Sequence, residues 1–170
     1  MNAKECASRQ SAADIKELTA AAEAGDADAQ YELGSEYYIK EDYAKAAEWY
    51  LKAAEQGHAE AQYDIGTKYE DGEGVERDAA KAAEWYLKAA EQGHASAQLS
   101  IAVAYANGEG VKEDSVTAYM WCSVSCMTDP GSKSIKDVLE SIGKDMTATQ
   151  IKEAESKAKA KFEEINRSRK

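Results

Sequence analysis

Residues 44–59 read AKAAEWYLKAAEQGHA, and residues 80–95 read the same sixteen letters 36 positions later. Chance does not produce an identity of that length, so a segment has been duplicated and the fold must be one that repeats. The flanking letters recur as well. Ala29-Gln30-Tyr31, Ala61-Gln62-Tyr63 and Ala97-Gln98-Leu99 precede the copies, and Asp71-Gly72-Glu73-Gly74-Val75 matches Asn107-Gly108-Glu109-Gly110-Val111. A third copy of the second half is degraded, with Ala118, Trp121 and Ser125 standing where Ala82, Trp85 and Ala89 predict them. The first copy is shorter, because Tyr38–Asp42 has no Gly-Glu-Gly-Val insertion and its two halves must be joined more tightly.

Each copy reads as two helices. The first spans roughly 28–38, 60–70 and 96–106, with Ala29, Leu33 and Tyr37 four residues apart on one face. The second spans roughly 43–55, 79–91 and 115–127. Asp42, Asp78 and Asp114 precede these segments, where a carboxylate accepts from free backbone N–H groups. Gly57 and Gly93 follow them, where a left-handed residue closes a helix. Trp49 and Tyr50, with Ala46 and Ala53, form the apolar stripe. Gly34 and Gly66 lie inside first helices at a cost of about 1 kcal/mol each relative to Ala. Their recurrence predicts close helix approach, with the Trp of the partner helix needing the room. A single proline in 170 residues argues against an all-β chain.

The ends read as caps. Residues 1–10 form a disordered arm, and 11–26 an N-terminal capping helix in which Ala21-Ala22-Glu23 aligns with Ala53-Ala54-Glu55. The repeats occupy 27–58, 59–94 and 95–128, and 129–170 holds C-terminal capping helices. Asp129-Pro130 reads as the capped start of the first of these, with proline at the first helical position. Thr147 and Gln150 form a capping box, flanked by Met146 and Ile151 as a hydrophobic staple. Beyond it Ile151, Ala154, Ala158, Phe162 and Ile165 share one side, an amphipathic lid for the open core of the last repeat.

The pattern AQY-x-x-G-x-x-Y, then G-x-G-V-x-x-D, then KAAEWYLKAAEQGH resembles the Sel-1-like repeat family, relatives of the tetratricopeptide repeat, over about residues 27–125. The MT-x-x-QI-x-EA segment resembles the closing helix of bacterial members. The resemblance implies an all-α fold, a right-handed α-α superhelix of helix pairs, and a scaffold or adaptor role without chemistry. The third copy departs from the family pattern at Cys122-Ser123-Val124-Ser125-Cys126.

No constellation for catalysis stands out. His58 and His94 occupy equivalent places and could be imagined as metal ligands. Duplication accounts for the pair, and both are read as turn residues after the cap glycines. Cys122 and Cys126 lie on one helix face without further ligands in reach of the pattern, and are read as buried small residues replacing Tyr86 and Ala90. Cys6 falls in the arm. The glycine loops carry glutamates and no Lys-Ser/Thr, so they are turns rather than phosphate cradles. No metal and no cofactor is expected. Cysteine-rich bacterial relatives linked to β-lactam chemistry suggest a small hydrolase as an alternative. The chain lacks their one-disulfide-per-repeat spacing and any Ser-x-x-Lys suited to that site. A purely structural assembly unit is a second alternative.

The binding surface is expected on first-helix side chains lining the concave face. The matched positions are Asp28, Tyr31, Ser35 and Tyr38, then Glu60, Tyr63, Thr67 and Glu70, then Leu99 and Val103 with Ser96 and Ala106. Tyr31 and Tyr63 read equally as groove anchors or as packing between helices. A net charge of −11 argues against nucleic acid as a partner and for a basic or extended protein segment. The charge is uneven: residues 1–130 hold 11 Lys/Arg against 25 Asp/Glu, whereas 131–170 hold 10 against 7. No run approaches the roughly 18 apolar residues of a membrane span, so no membrane insertion is expected. The chain is expected to be a monomer in the cytoplasm, with a periplasmic or secreted protein that has lost a signal peptide as the alternative.

Overall fold

A computed structural model of the chain describes residues 15–169. The arm at 1–10, Cys6 and the start of the N-terminal capping helix lie outside the described residues. Every regular element among those described is an α-helix. The chain divides into two compact units, residues 1–76 and 77–170.

The first unit holds α1 (15–23), α2 (Ala27–Ile39), α3 (Tyr43–Glu55) and α4 (Ala59–Asp71). The starts of α2, α3 and α4 are each set by a side chain that accepts an otherwise unpaired N–H. The Asp26 carboxylate accepts from Ala29, and that of Asp42 from Lys45. His58 takes the same role for α4, its Nδ1 accepting the Ala61 N–H at 3.1 Å. His94 does so for the helix that begins at Ala95, accepting from Ala97 at 3.2 Å. Both histidines are therefore helix N-caps, the structural basis of their identical placement. The α2–α3 connection is three residues long, and Glu41 closes it at φ +60°, a left-handed conformation uncommon outside glycine.

Alanines make the helix contacts of this unit. Ala46, Ala47, Ala53 and Ala54 are buried on α3, facing Leu33 and Gly34 of α2 and Ala61, Ile65 and Gly66 of α4. Gly34 leaves room for a bulky neighbour, as expected, but the neighbour is Tyr50 and not Trp49. A Cβ on Gly34 would lie 2.7 Å from the Tyr50 ring. Trp49 is half-buried instead, packed toward Ala22, Ala29 and Leu33 together with Leu18, Ala21 and Tyr37, with the Lys52 ammonium 3.8 Å from its ring centroid. Adjacent helical residues point about 100° apart, so only one of the pair faces the Gly34 contact.

The second unit holds α5 (Ala79–Glu91), α6 (Ala95–Asn107), α7 (Ser115–Thr128), α8 (Lys133–Gly143) and α9 (Ala148–Ser168). Asp78 and Asp114 cap α5 and α7 as expected, each carboxylate accepting two backbone N–H bonds. The start of α8 differs from expectation. Asp129 is the C-cap of α7, Pro130 lies in the turn, and the Ser132 hydroxyl caps α8 by accepting from Ile135. Helix α8 begins three residues later than expected, at Lys133, because Asp129 still closes α7, its N–H donating to the Ser125 carbonyl at 2.8 Å. The capping box of Thr147 and Gln150 is present. Helix α9 packs on α7 through buried Ala154, Ala158 and Ile165, while Ile151 and Phe162 are half-buried. Cys122 replaces Tyr86 in the buried stripe, its thiol pointing to the Ile135 carbonyl at 3.5 Å, and burial pushes its pKa up to about 12.

The glycine loops are turns of close approach. Gly72 ends α4 at φ +72° and Gly108 ends α6 at φ +69°. The second glycine of each loop lies against the start of the helix before the one it follows, Gly74 against α3 and Gly110 against α5. A Cβ on Gly74 would sit 2.1 Å from the Tyr43 carbonyl oxygen, and one on Gly110 would sit 2.0 Å from that of Ala79. Only glycine fits there, which explains why this glycine recurs in both loops.

Candidate protein-binding surface

In the first unit the expected positions gather around two features. The first is His58. With Nδ1 accepting a backbone N–H, the proton resides on Nε2, which lies 3.4 Å from Asp28 Oδ1. The Glu60 carboxylate lies 3.7 Å from Nδ1. Tyr31 stacks on the imidazole with ring centroids 4.6 Å apart and lies 5.6 Å from Tyr50. Its hydroxyl bonds to the Asp64 carboxylate. Burial first, and then the Asp64 charge, push the phenol up to about 12. Tyr31 is thus held on three sides, while Asp28 and Glu60 are exposed.

The second feature is an open cleft of about 400 Å³ between α2 and α4, lined by Ser35, Tyr38, Ile39, Tyr50, Tyr63, Asp64, Thr67 and Lys68. Four of the expected residues meet there. The Ser35 hydroxyl accepts from the Tyr50 hydroxyl at 3.2 Å and donates to the Tyr31 carbonyl at 3.1 Å, so the α2 wall is fixed from behind. Tyr38 is 40% exposed and Ile39 75% exposed, making this the most open apolar part of the unit. Glu70 is exposed near the end of α4.

Lys68 is the residue that repeat matching missed. It is buried, its ammonium pairs with the Glu73 carboxylate and lies 4.0 Å from the Tyr38 ring centroid. Burial by itself lowers its pKa, but the Glu73 partner outweighs it and the net shift is upward. A signal was present: Asp64 and Lys68 are four apart on α4, whereas the equivalent positions are Glu32/Glu36 in copy one and Ser100/Ala104 in copy three.

In the second unit Leu99 is half-buried on α6. Val103 and Ala106 line a separate cleft of about 400 Å³, whose other wall is Val138 and Ile142 of α8, with Glu113 and Asp145 exposed at its edge.

Among the described residues no group of three His, Cys, Asp or Glu side chains is arranged to hold a metal ion, and no helix is long and apolar enough to cross a membrane. Burial pushes Tyr31 and Cys122 up, and the Asp114 carboxyl is held below its ordinary value first by the Thr117 hydroxyl and then by the Thr117 and Val116 N–H groups.

The same helix-pair pattern is found in known proteins. The structure is similar to that of a protective antigen present in uropathogenic Escherichia coli strains, which displays an SLR fold, with a TM-score of 0.83 and 35% identity over 91% of this chain. The chain spans only 33% of that antigen's length. It is also similar to a Sel1 repeat protein from Oxalobacter formigenes, with a TM-score of 0.67 and 32% identity, covering 75% of this chain and 98% of the other. Among curated proteins none matches. The profile of the Sel1 repeat matches residues 27–58, 59–94 and 95–127. Proteins built of these repeats generally mediate protein–protein interaction and are generally non-catalytic scaffolds. With three consecutive repeats matched and the helix pairs in place, this chain belongs to the Sel1 repeat family, an all-α solenoid class.

Proposed function

We propose that the protein is a non-catalytic binding module, an adaptor or regulatory scaffold, that holds a segment of a partner protein on first-helix side chains. The observation that carries this reading is the α2–α4 cleft. Its floor, Tyr50 and Ser35, is tied into the fold, while its edge, Tyr38, Ile39 and Tyr63, is apolar and accessible. Preorganised aromatic walls with a polar tip are what interface anchors require. Asp28 and Glu60 beside His58, and Glu70 near the end of α4, add exposed acidic groups on the same first helices, and Thr67 adds a hydroxyl to the cleft. Leu99 and Val103 are the corresponding positions of the second unit. The partner is a basic or extended segment, and neither nucleic acid nor a membrane is the target. The chain acts as a monomer in a reducing compartment, the cytoplasm, a reading supported by three cysteines whose odd number and irregular spacing make no disulfide framework.

The test begins with pull-down and mass spectrometry to obtain the partner, followed by titration of Tyr38→Ala and Tyr63→Ala. Each should weaken binding by about 1–3 kcal/mol with a smaller change in melting temperature than Tyr50→Ala causes. Normal binding by both folded variants would refute the α2–α4 surface as the site.

A further inference from the structure

The second unit holds a cleft that the repeat pattern alone does not create, since one of its walls is α8. On α6, copy three has Val103 where the earlier copies have Ser35 and Thr67, and Ala106 where they have Tyr38 and Glu70. These two substitutions to aliphatic residues fall on the wall opposite α8. Helix α8 carries Ile135, Val138, Leu139 and Ile142 at helical spacing, yet only Ile135 is buried, and the other three stay half-exposed. The apolar face of α8 is therefore used for docking on α7 at one end and left open toward the cleft at the other. The charged residues lining the cleft are Glu113 and Asp145, both exposed, and no Lys or Arg lines it. Lys112 belongs to the neighbouring hollow with Tyr105, Val111 and Asp114.

We infer that this cleft between α6 and α8 is a docking site for a partner segment that presents an aliphatic side chain flanked by lysine or arginine. The inference rests on the protein-binding reading and extends it to the second unit with a stated partner chemistry. An aliphatic side chain would take Val103, Ala106, Val138 and Ile142 out of contact with water, and Asn107, Ser115 and Ser141, which also line the cleft, would pair with the main chain of the segment. The flanking cation would meet Glu113 or Asp145, a complementarity that selects basic over acidic segments and weakens with salt.

The probe is a random dodecapeptide display library selected on the full chain, the selected peptides then being titrated while methyl shifts of Val103, Val138 and Ile142 are followed by NMR. The expected consensus is an aliphatic residue next to Lys or Arg, with shifts at those three methyl groups. Glu113→Lys and Asp145→Lys are exposed changes whose folding is checked by thermal melts, and together they should weaken the peptide by about tenfold or more. An acidic or purely polar consensus would overturn the inference, as would undiminished binding by the double variant. Shifts confined to the methyl groups of Ile39 and Thr67 in the α2–α4 cleft would overturn it too while leaving the protein-binding reading intact. If no peptide is selected, the cleft is not a docking site, and the broader reading is decided separately by capture of the full-length partner.

Discussion

The Gln98 side-chain amide, wholly buried, donates to the main-chain carbonyl of Ala90 at 3.1 Å. Ala90 lies at the end of α5, where helix carbonyls lack an intrahelical donor; it also accepts from Gly93 N–H at 2.9 Å. The same bond joins Gln30 to Ala22 and Gln62 to Ala54, each at 3.0 Å. The glutamine of the Ala-Gln-Tyr/Leu motif is thus the clip between a helix end and the next helix. Gln98→Leu should destabilise the protein by about 1–3 kcal/mol, the range for losing a buried hydrogen bond while its acceptor stays desolvated. Urea denaturation measures this, and an unchanged midpoint would show that the clip is dispensable.

Gly110→Ala places a methyl group on the Ala79 carbonyl oxygen, at a residue with φ +70°. Gly57→Ala makes the same backbone demand, φ +95°, with nothing within 4 Å. The Gly57 variant should lose about 1–2 kcal/mol from the left-handed conformation. The Gly110 variant should lose a further 1–3 kcal/mol or so from overlap. Thermal melts of the pair separate the two effects, and equal losses would mean that the loop moves aside freely.

Tyr31 makes stability depend on pH at the alkaline end. Its folded pKa of about 12 lies above the ordinary value of 10.0 because of burial and Asp64. Below pH 10 both states keep the proton and its full contribution is present. Between pH 10 and 12 the unfolded chain releases a proton that the folded chain retains, so stability falls as pH rises. Tyr31→Phe should flatten that fall. Chemical denaturation across this window provides the check, and identical slopes for the two proteins would contradict the assignment.

Removing residues 145–170 uncovers α7, against which Ala154, Ala158 and Ile165 are buried and near whose Trp121 ring the Lys161 ammonium stands at 5.9 Å. Terminal caps are what keep a repeat array soluble. The truncated chain should aggregate or melt far below the full one. A soluble truncation of equal stability would show that α9 is a free element.

The sequence by itself determined the repeat helices and, to within a residue, their limits. The second helices run 43–55 and 79–91 as expected, and Asp42, Asp78 and Asp114 cap them, because a cap and the helix it opens are a few residues apart and need nothing distant. Repeat identity likewise exposed the glycine loops and the shortened first connection. Tertiary structure decided how each helix is rotated and what it meets. Trp49 and Tyr50 are both large and aromatic, and only packing against Gly34 selects Tyr50 for the interior. The N-cap of α8 passed from Asp129 to Ser132 because Asp129 is taken up in closing α7, where its N–H meets the Ser125 carbonyl. Tyr31 is stacked on His58 and bonded to Asp64, and Lys68 turns in toward Glu73 and Tyr38. Those partners come from other helices or beyond the helix end, and a periodicity within one helix carries no information about them. The α6–α8 cleft has the same origin: Val103 and Val138 are 35 residues apart in the chain and face each other only once α8 has docked on α7.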